Sequence, residues 1–120
     1  GIHGMTLAAF YEEIGGDYQK TVDRLYNEAM VRKFVLKYRQ DGTFEELRAA
    51  HAAGDWETAF RAAHTLKGIA LNLGFTRLFA SAMALTEALR GNRPLTDEPL
   101  YTAVANDQAA LLAALDQLDS

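Results

Sequence analysis

Asp55-Trp56-Glu57-Thr58-Ala59-Phe60-Arg61-Ala62-Ala63-His64-Thr65-Leu66-Lys67-Gly68-Ile69-Ala70-Leu71-Asn72-Leu73-Gly74 is the stretch that decides the fold. It opens on a residue suited to cap a helix and closes on one suited to end it. The spacing between them predicts a continuous helix over 56–73. At about 100° per residue, Ala59, Ala62, Ala63, Leu66, Ala70 and Leu73 share one face. That face is apolar and small-sided, so neighbouring helices can approach it closely. This is the central helix of an all-helical domain.

Working outward, the same period continues in both directions. Upstream, short helices are expected over about Thr6 to Ile14 and about Asp17 to Leu25, separated by Gly15-Gly16. Asn27 can cap a third helix, about Glu28 to Gln40, presenting Val31, Phe34, Val35 and Tyr38. After the break at Asp41-Gly42, Thr43-Phe44-Glu45-Glu46 matches a capping box for a helix that ends at Gly54. Downstream, Phe75, Leu78, Phe79, Ala82, Leu85 and Leu89 form the stripe of a helix from about Phe75 to Arg90. A loop follows at Gly91-Asn92-Arg93-Pro94. Thr96 can cap the last helix, with Pro99 tolerated in its first turn. Its stripe is Leu100, Val104, Leu111, Leu115 and Leu118.

Strand-like alternation is absent, and amphipathic helices joined by short loops imply an antiparallel four-helix bundle. The expected organisation is one domain. Residues 1–4 are a tag remnant or linker, 5–26 hold short helices and 27–120 form the bundle. Phe10, Tyr11 and Val22 are candidates to cover one end of it.

Composition narrows the function. The chain has 120 residues and 49% hydrophobic content, enough for a core without staples. It has no cysteine, which removes disulfides, thiolate metal sites and cysteine nucleophiles and fits the cytoplasm. A net charge of −4 without a basic block argues against nucleic acid. No apolar run reaches membrane-spanning length, so no membrane insertion is expected, and no secretory leader is visible. Gly15-Gly16 is too short for a phosphate loop, and no zinc-type His/Cys set occurs.

His64 carries the chemistry. It falls roughly 140° from the middle of the apolar stripe and so points outward. Its helical neighbours are Phe60, Lys67, Gly68 and Leu71. Glycine inside a helix costs about 1 kcal/mol relative to alanine, and core packing gives Gly68 no purpose here. It clears space around the imidazole, while Lys67 offers a mobile cation to phosphate oxygens. His51 falls on the stripe of Phe44 and Leu47 and reads as a half-buried packing residue. Trp56 is expected to pack against the preceding helix. Tyr101 is open between core and surface. Asp116 and Asp119 read as a solvated helix end.

The run His64-Thr65-Leu66-Lys67-Gly68, with Gly74 six residues after Gly68, resembles the histidine-containing phosphotransfer (HPt) domain family. Ala52-Ala53-Gly54-Asp55-Trp56 and Leu85-Thr86-Glu87-Ala88-Leu89-Arg90 are similar to it as well. Ile69-Ala70-Leu71 departs from the small or polar residues that many members carry there, and Leu71 makes the face greasier. The resemblance implies that His64 is a phosphoacceptor, reacting through Nε2, that Lys67 steadies the phosphate and that Gly68 gives access. Phe60 and Leu71 would dock a partner, with Arg61 and Glu57 on the rim, and Gly74, Asp55 and Trp56 would be structural. The implied partners are response-regulator receiver domains and/or a hybrid sensor histidine kinase. Mg²⁺ is expected on the receiver, not on this chain. The implied role is phosphohistidine carrier without kinase activity of its own. The rival expectation is an adaptor that docks a receiver or helical partner through the same face and never carries phosphate.

Overall fold

The periodicity read above is realised as helix throughout the computed structural model, which describes residues 4–118. Seven helices follow one another among these residues: α1 (Leu7–Glu13), α2 (Tyr18–Arg24), α3 (Glu28–Tyr38), α4 (Thr43–Ala53), α5 (Trp56–Leu73), α6 (Thr76–Leu89) and α7 (Glu98–Leu115). The described residues contain no strand, only one isolated bridge between Met5 and Leu118. Gly1-Ile2-His3, most of the expected tag remnant, and Asp119 lie outside the described residues.

The bundle consists of α4 to α7, with α5 between α4 and α6. The small stripe makes this possible: Ala59, Ala62, Ala63, Leu66, Ala70 and Leu73 are the buried residues of α5. They are the residues the periodicity selects. Alanine at four of these positions leaves little beyond backbone between the helices, so α5 can lie close to both neighbours. The α4–α7 seam is aromatic. His51 stacks flat on Tyr101, centroids 3.8 Å apart, and its Nε2 lies 2.5 Å from a Glu98 carboxylate oxygen. Tyr101 also stacks with Phe44, and Trp56 meets His51 edge-on from the start of α5. His51 is thus a packing residue, Trp56 packs on α4 as expected, and Tyr101 is half-buried.

The N-terminal helices close the end of the bundle where α5 turns into α6. Phe10, Tyr11, Tyr38 and Phe75 form a cluster of edge-on and tilted rings, with centroid separations from 5.3 to 6.3 Å. Val22 is only partly buried against it. The polar tips of the two phenols are satisfied. Tyr11 donates to the Leu73 carbonyl and Tyr38 to Gln108 of α7, each at 2.5 Å. Burial raises both phenol pKa values well beyond the ordinary tyrosine range.

Two expected caps are not formed. Thr43 is the first residue of α4, not its cap: Gly42 occupies that position without a side-chain bond. Asp41 has displaced the capping box by accepting from the Thr43 N–H at 2.8 Å. Thr96 likewise lies outside α7, whose N-cap is Asp97, without a side-chain bond. Pro99 removes one of the two N–H groups that a cap at 96 could bond, leaving only that of Glu98, and the cap position falls to Asp97. The caps at Thr6, Asp17, Asn27 and Asp55 are made, each accepting from the N–H three residues on at 2.9–3.2 Å. Asp116 is exposed at the end of α7 but not merely solvated, since it pairs with Arg39 at 2.7 Å.

Candidate functional site

His64 lies in the middle of α5, on the side opposite the alanine stripe, and is exposed. Asp55 fixes the start of this helix, and its bonds to Thr58 hold its carboxyl below the usual carboxylate range. Gly74, at φ +71°, ends it. The imidazole has no hydrogen-bond partner among the described residues. Its ring neighbour is Phe60, one turn back, with centroids 6.1 Å apart and planes tilted by 41°.

Gly68 is exposed one turn further on, and a methyl group added there would meet nothing within 4 Å. Packing therefore does not require glycine at this position. Lys67 is half-buried on the same turn and makes no ion pair within 4 Å among the described residues. Leu71 is 53% exposed and continues the row beyond Gly68, whereas Ile69 turns toward Phe34 of α3. Glu57 and Arg61 form an exposed i,i+4 pair at 3.8 Å near the start of the helix. The structure thus brings His64, Lys67, Gly68, Phe60 and Leu71 onto one face and leaves Glu57 and Arg61 at its upper margin.

Helix α6 and the residue that caps its end contribute Glu87 and Arg90, two residues that sequence reasoning missed at this face. The Arg90 guanidinium lies over the Phe60 ring, 5.5 Å from its centroid, and binds Glu87 through two nitrogens at 2.7 and 3.1 Å. The Arg90 bonds hold the Glu87 carboxyl below its ordinary range, with Lys67 adding a smaller effect in the same direction. A signal for both exists in the chain. In a helical hairpin turning at Gly74, residues equally far before and after the turn come side by side, which places the end of α6 against Phe60.

The face offers an exposed imidazole, open space over the backbone at Gly68, a half-buried lysine one turn on and an apolar margin at Phe60 and Leu71. No group of three or more His, Asp or Glu side chains among the described residues could hold a metal ion. A family model described as Hpt domain matches residues 30–120. The chain belongs to the Hpt domain family. Hpt domains are phosphocarriers of phosphorelay signalling rather than catalysts, and they interact with receiver domains. No curated protein and no solved structure gives a significant match. Within this Hpt domain, α1, α2 and the first two residues of α3 precede the matched segment. No helix among the described residues is long and apolar enough to cross a membrane.

Proposed function

We propose that this Hpt domain takes a phosphoryl group from the phosphoaspartate of one receiver domain and passes it to the aspartate of another, with His64 as the carrier. In the first step a neutral His64 ring nitrogen, Nε2, forms the N–P bond as the aspartyl P–O bond breaks and its electron pair returns to the carboxylate. The second step runs the same exchange onto a new carboxylate. Such transfer depends on alignment and charge stabilisation more than on covalent help from the protein. Lys67 steadies the phosphoryl oxygens, and Gly68 leaves their path clear. Phe60 and Leu71 dock the receiver, with Arg61 and Glu57 on the rim. Mg²⁺ belongs to the receiver. The chain acts as a single domain, in the cytoplasm, without kinase activity of its own, and exchanges with receiver domains alone or with those of a hybrid sensor kinase.

The observation that carries this reading is an exposed imidazole beside a helical glycine whose missing side chain no packing contact explains. An adaptor face would gain about 1 kcal/mol of helix stability from alanine there and lose nothing. The test is direct. Receiver domains from the same organism are phosphorylated with a small acyl phosphate and mixed with the chain. Acid-labile, base-stable phosphate should appear on it and be absent from His64→Gln. Label on the His64→Gln variant, or none with any receiver, would favour the adaptor.

A further inference from the structure

We infer that Glu87 governs how readily His64 gives up its phosphoryl group. Its carboxylate occupies the Arg90 guanidinium that lies over the Phe60 ring, so a phosphoryl group on His64 meets a cation already engaged and an anion of its own sign. The inference rests on the phosphotransfer reading above and assigns a positioning residue to that same face.

Three contacts lead from Glu87 to the histidine. Arg90 binds the Glu87 carboxylate through two nitrogens at 2.7 and 3.1 Å. The same guanidinium lies 5.5 Å from the centre of the Phe60 ring. That ring in turn lies 6.1 Å from the imidazole. The backbone that presents Arg90 is itself held, since Arg90 caps the end of α6 and its carbonyl accepts from Arg93 Nε at 2.9 Å. An exposed Arg–Glu pair one turn apart ordinarily does little for stability. Both side chains here are more than half exposed, at 53% and 57%. What sets this pair apart is the ring beneath the guanidinium, because that ring is the neighbour of His64. Arg48 and Glu45 form the same i,i+3 pair on α4, beside Tyr101 in the α4–α7 seam.

Charge gives the direction of the effect. In the resting domain Glu87 satisfies Arg90 and feels the Lys67 ammonium as well. A phosphoryl group adds about 1.5 to 2 negative charges at neutral pH. On His64 these charges compete with Glu87 for Arg90 and Lys67, and the carboxylate repels them. Glu87 therefore raises the free energy of the phosphorylated state relative to the resting one. In the second transfer step the N–P bond breaks, its electron pair returns to Nε2 and the receiver carboxylate bonds phosphorus. Glu87 favours that step and opposes its reverse. The groups are exposed, so salt screens the effect, with a Debye length of about 8 Å at physiological strength and about 3 Å at 1 M.

The experiment mixes radiolabelled chain with the receiver that exchanges with it fastest, in dilute solution, and reads the ratio of phosphohistidine to phosphoaspartate at equilibrium. The two proteins are mostly apart under these conditions, so the ratio reports the state of the histidine and not the strength of docking. Glu87→Gln should shift the ratio toward phosphohistidine by about three- to tenfold at low ionic strength and by less than about twofold at about 1 M salt. Glu87→Asp keeps the charge and should bring the ratio back to within about twofold of the parent. Glu45→Gln should leave it unchanged. The pairs are exposed, so none of these changes should cost the fold. An unchanged ratio for Glu87→Gln, a shift toward phosphoaspartate, a shift that persists at high salt, or an equal shift for Glu87→Asp or Glu45→Gln would overturn the role of Glu87 and leave the phosphotransfer reading standing. A parent chain that takes label from no receiver would overturn both.

Discussion

Gly68 and Gly74 belong to the same helix, one inside it and one at its end, and the reasons for glycine differ completely. At Gly74 the fold leaves no choice. Its φ is +71°, and an added Cβ would lie 1.8 Å from the Thr21 hydroxyl oxygen and 2.9 Å from the Asp17 carbonyl oxygen. At Gly68 an added Cβ would meet nothing within 4 Å. One glycine is there because the protein's own atoms fill the space. The other keeps a space that the protein does not fill. The contrast separates a glycine that the fold requires from one that it does not, within a single helix.

The comparison can be broken most sharply at Gly74. Replacement by alanine adds left-handed strain and an overlap with α2, so Gly74→Ala should destabilise by about 2–4 kcal/mol in chemical denaturation. A loss below about 1 kcal/mol would mean that α2 yields easily and that the turn is not locked. At Gly68 the larger effect should be kinetic. Gly68→Gln should slow phosphoryl transfer to His64 by about 10- to 100-fold while the denaturation midpoint holds or rises. An unchanged transfer rate would remove steric access from the account of this residue.

Alkaline pH should distinguish the two regions without mutation. Tyr11 and Tyr38 both sit at the Gly74 end, and burial raises their folded-state pKa values above those of the unfolded chain. The stability they confer is intact below about pH 10 and declines as pH rises toward the folded values. Denaturation midpoints followed from neutral pH upward should therefore be flat and then fall, with ultraviolet difference spectra showing delayed phenol ionisation. A fall that begins well below pH 10 would point to other groups. The smallest effect is expected for Gly68→Ala. It should stabilise the fold by about 1 kcal/mol or less and slow transfer by about two- to threefold, less than glutamine does, since a methyl group is short.

Much of this was legible before any coordinates. The buried face of α5 follows from a 3.6-residue period alone, because its core positions are alanine and leucine and the poorest helix former in the interval, Gly68, lies off that face. The outward position of His64 follows from the same arithmetic. The missed caps have a different origin. A threonine near a helix start reads as a cap, but Asp41 supplies the bond at α4, and Pro99 withholds a donor at α7. Each outcome depends on which neighbour wins a local competition. Arg90 and Glu87 were not placed because a wheel drawn for one helix says nothing about what the next helix lays across it. The backbone at Tyr26 is illegible for another reason, since a left-handed φ at a non-glycine residue has no composition signal.

Helix ends usually fray, because their last carbonyls look to water for partners. In α5 the closing carbonyls are taken by the chain itself: Arg24 binds those of Leu71 and Asn72, Tyr11 that of Leu73, and the Asp17 amide that of Gly74 at 2.9 Å. The final turn of this helix should therefore exchange its amide protons more slowly than the first. Opening would begin at Asp55 and stop short of Leu71. The segment bearing His64 is in effect a beam clamped at one end, and its steadiness is inherited from the short helices that precede the bundle.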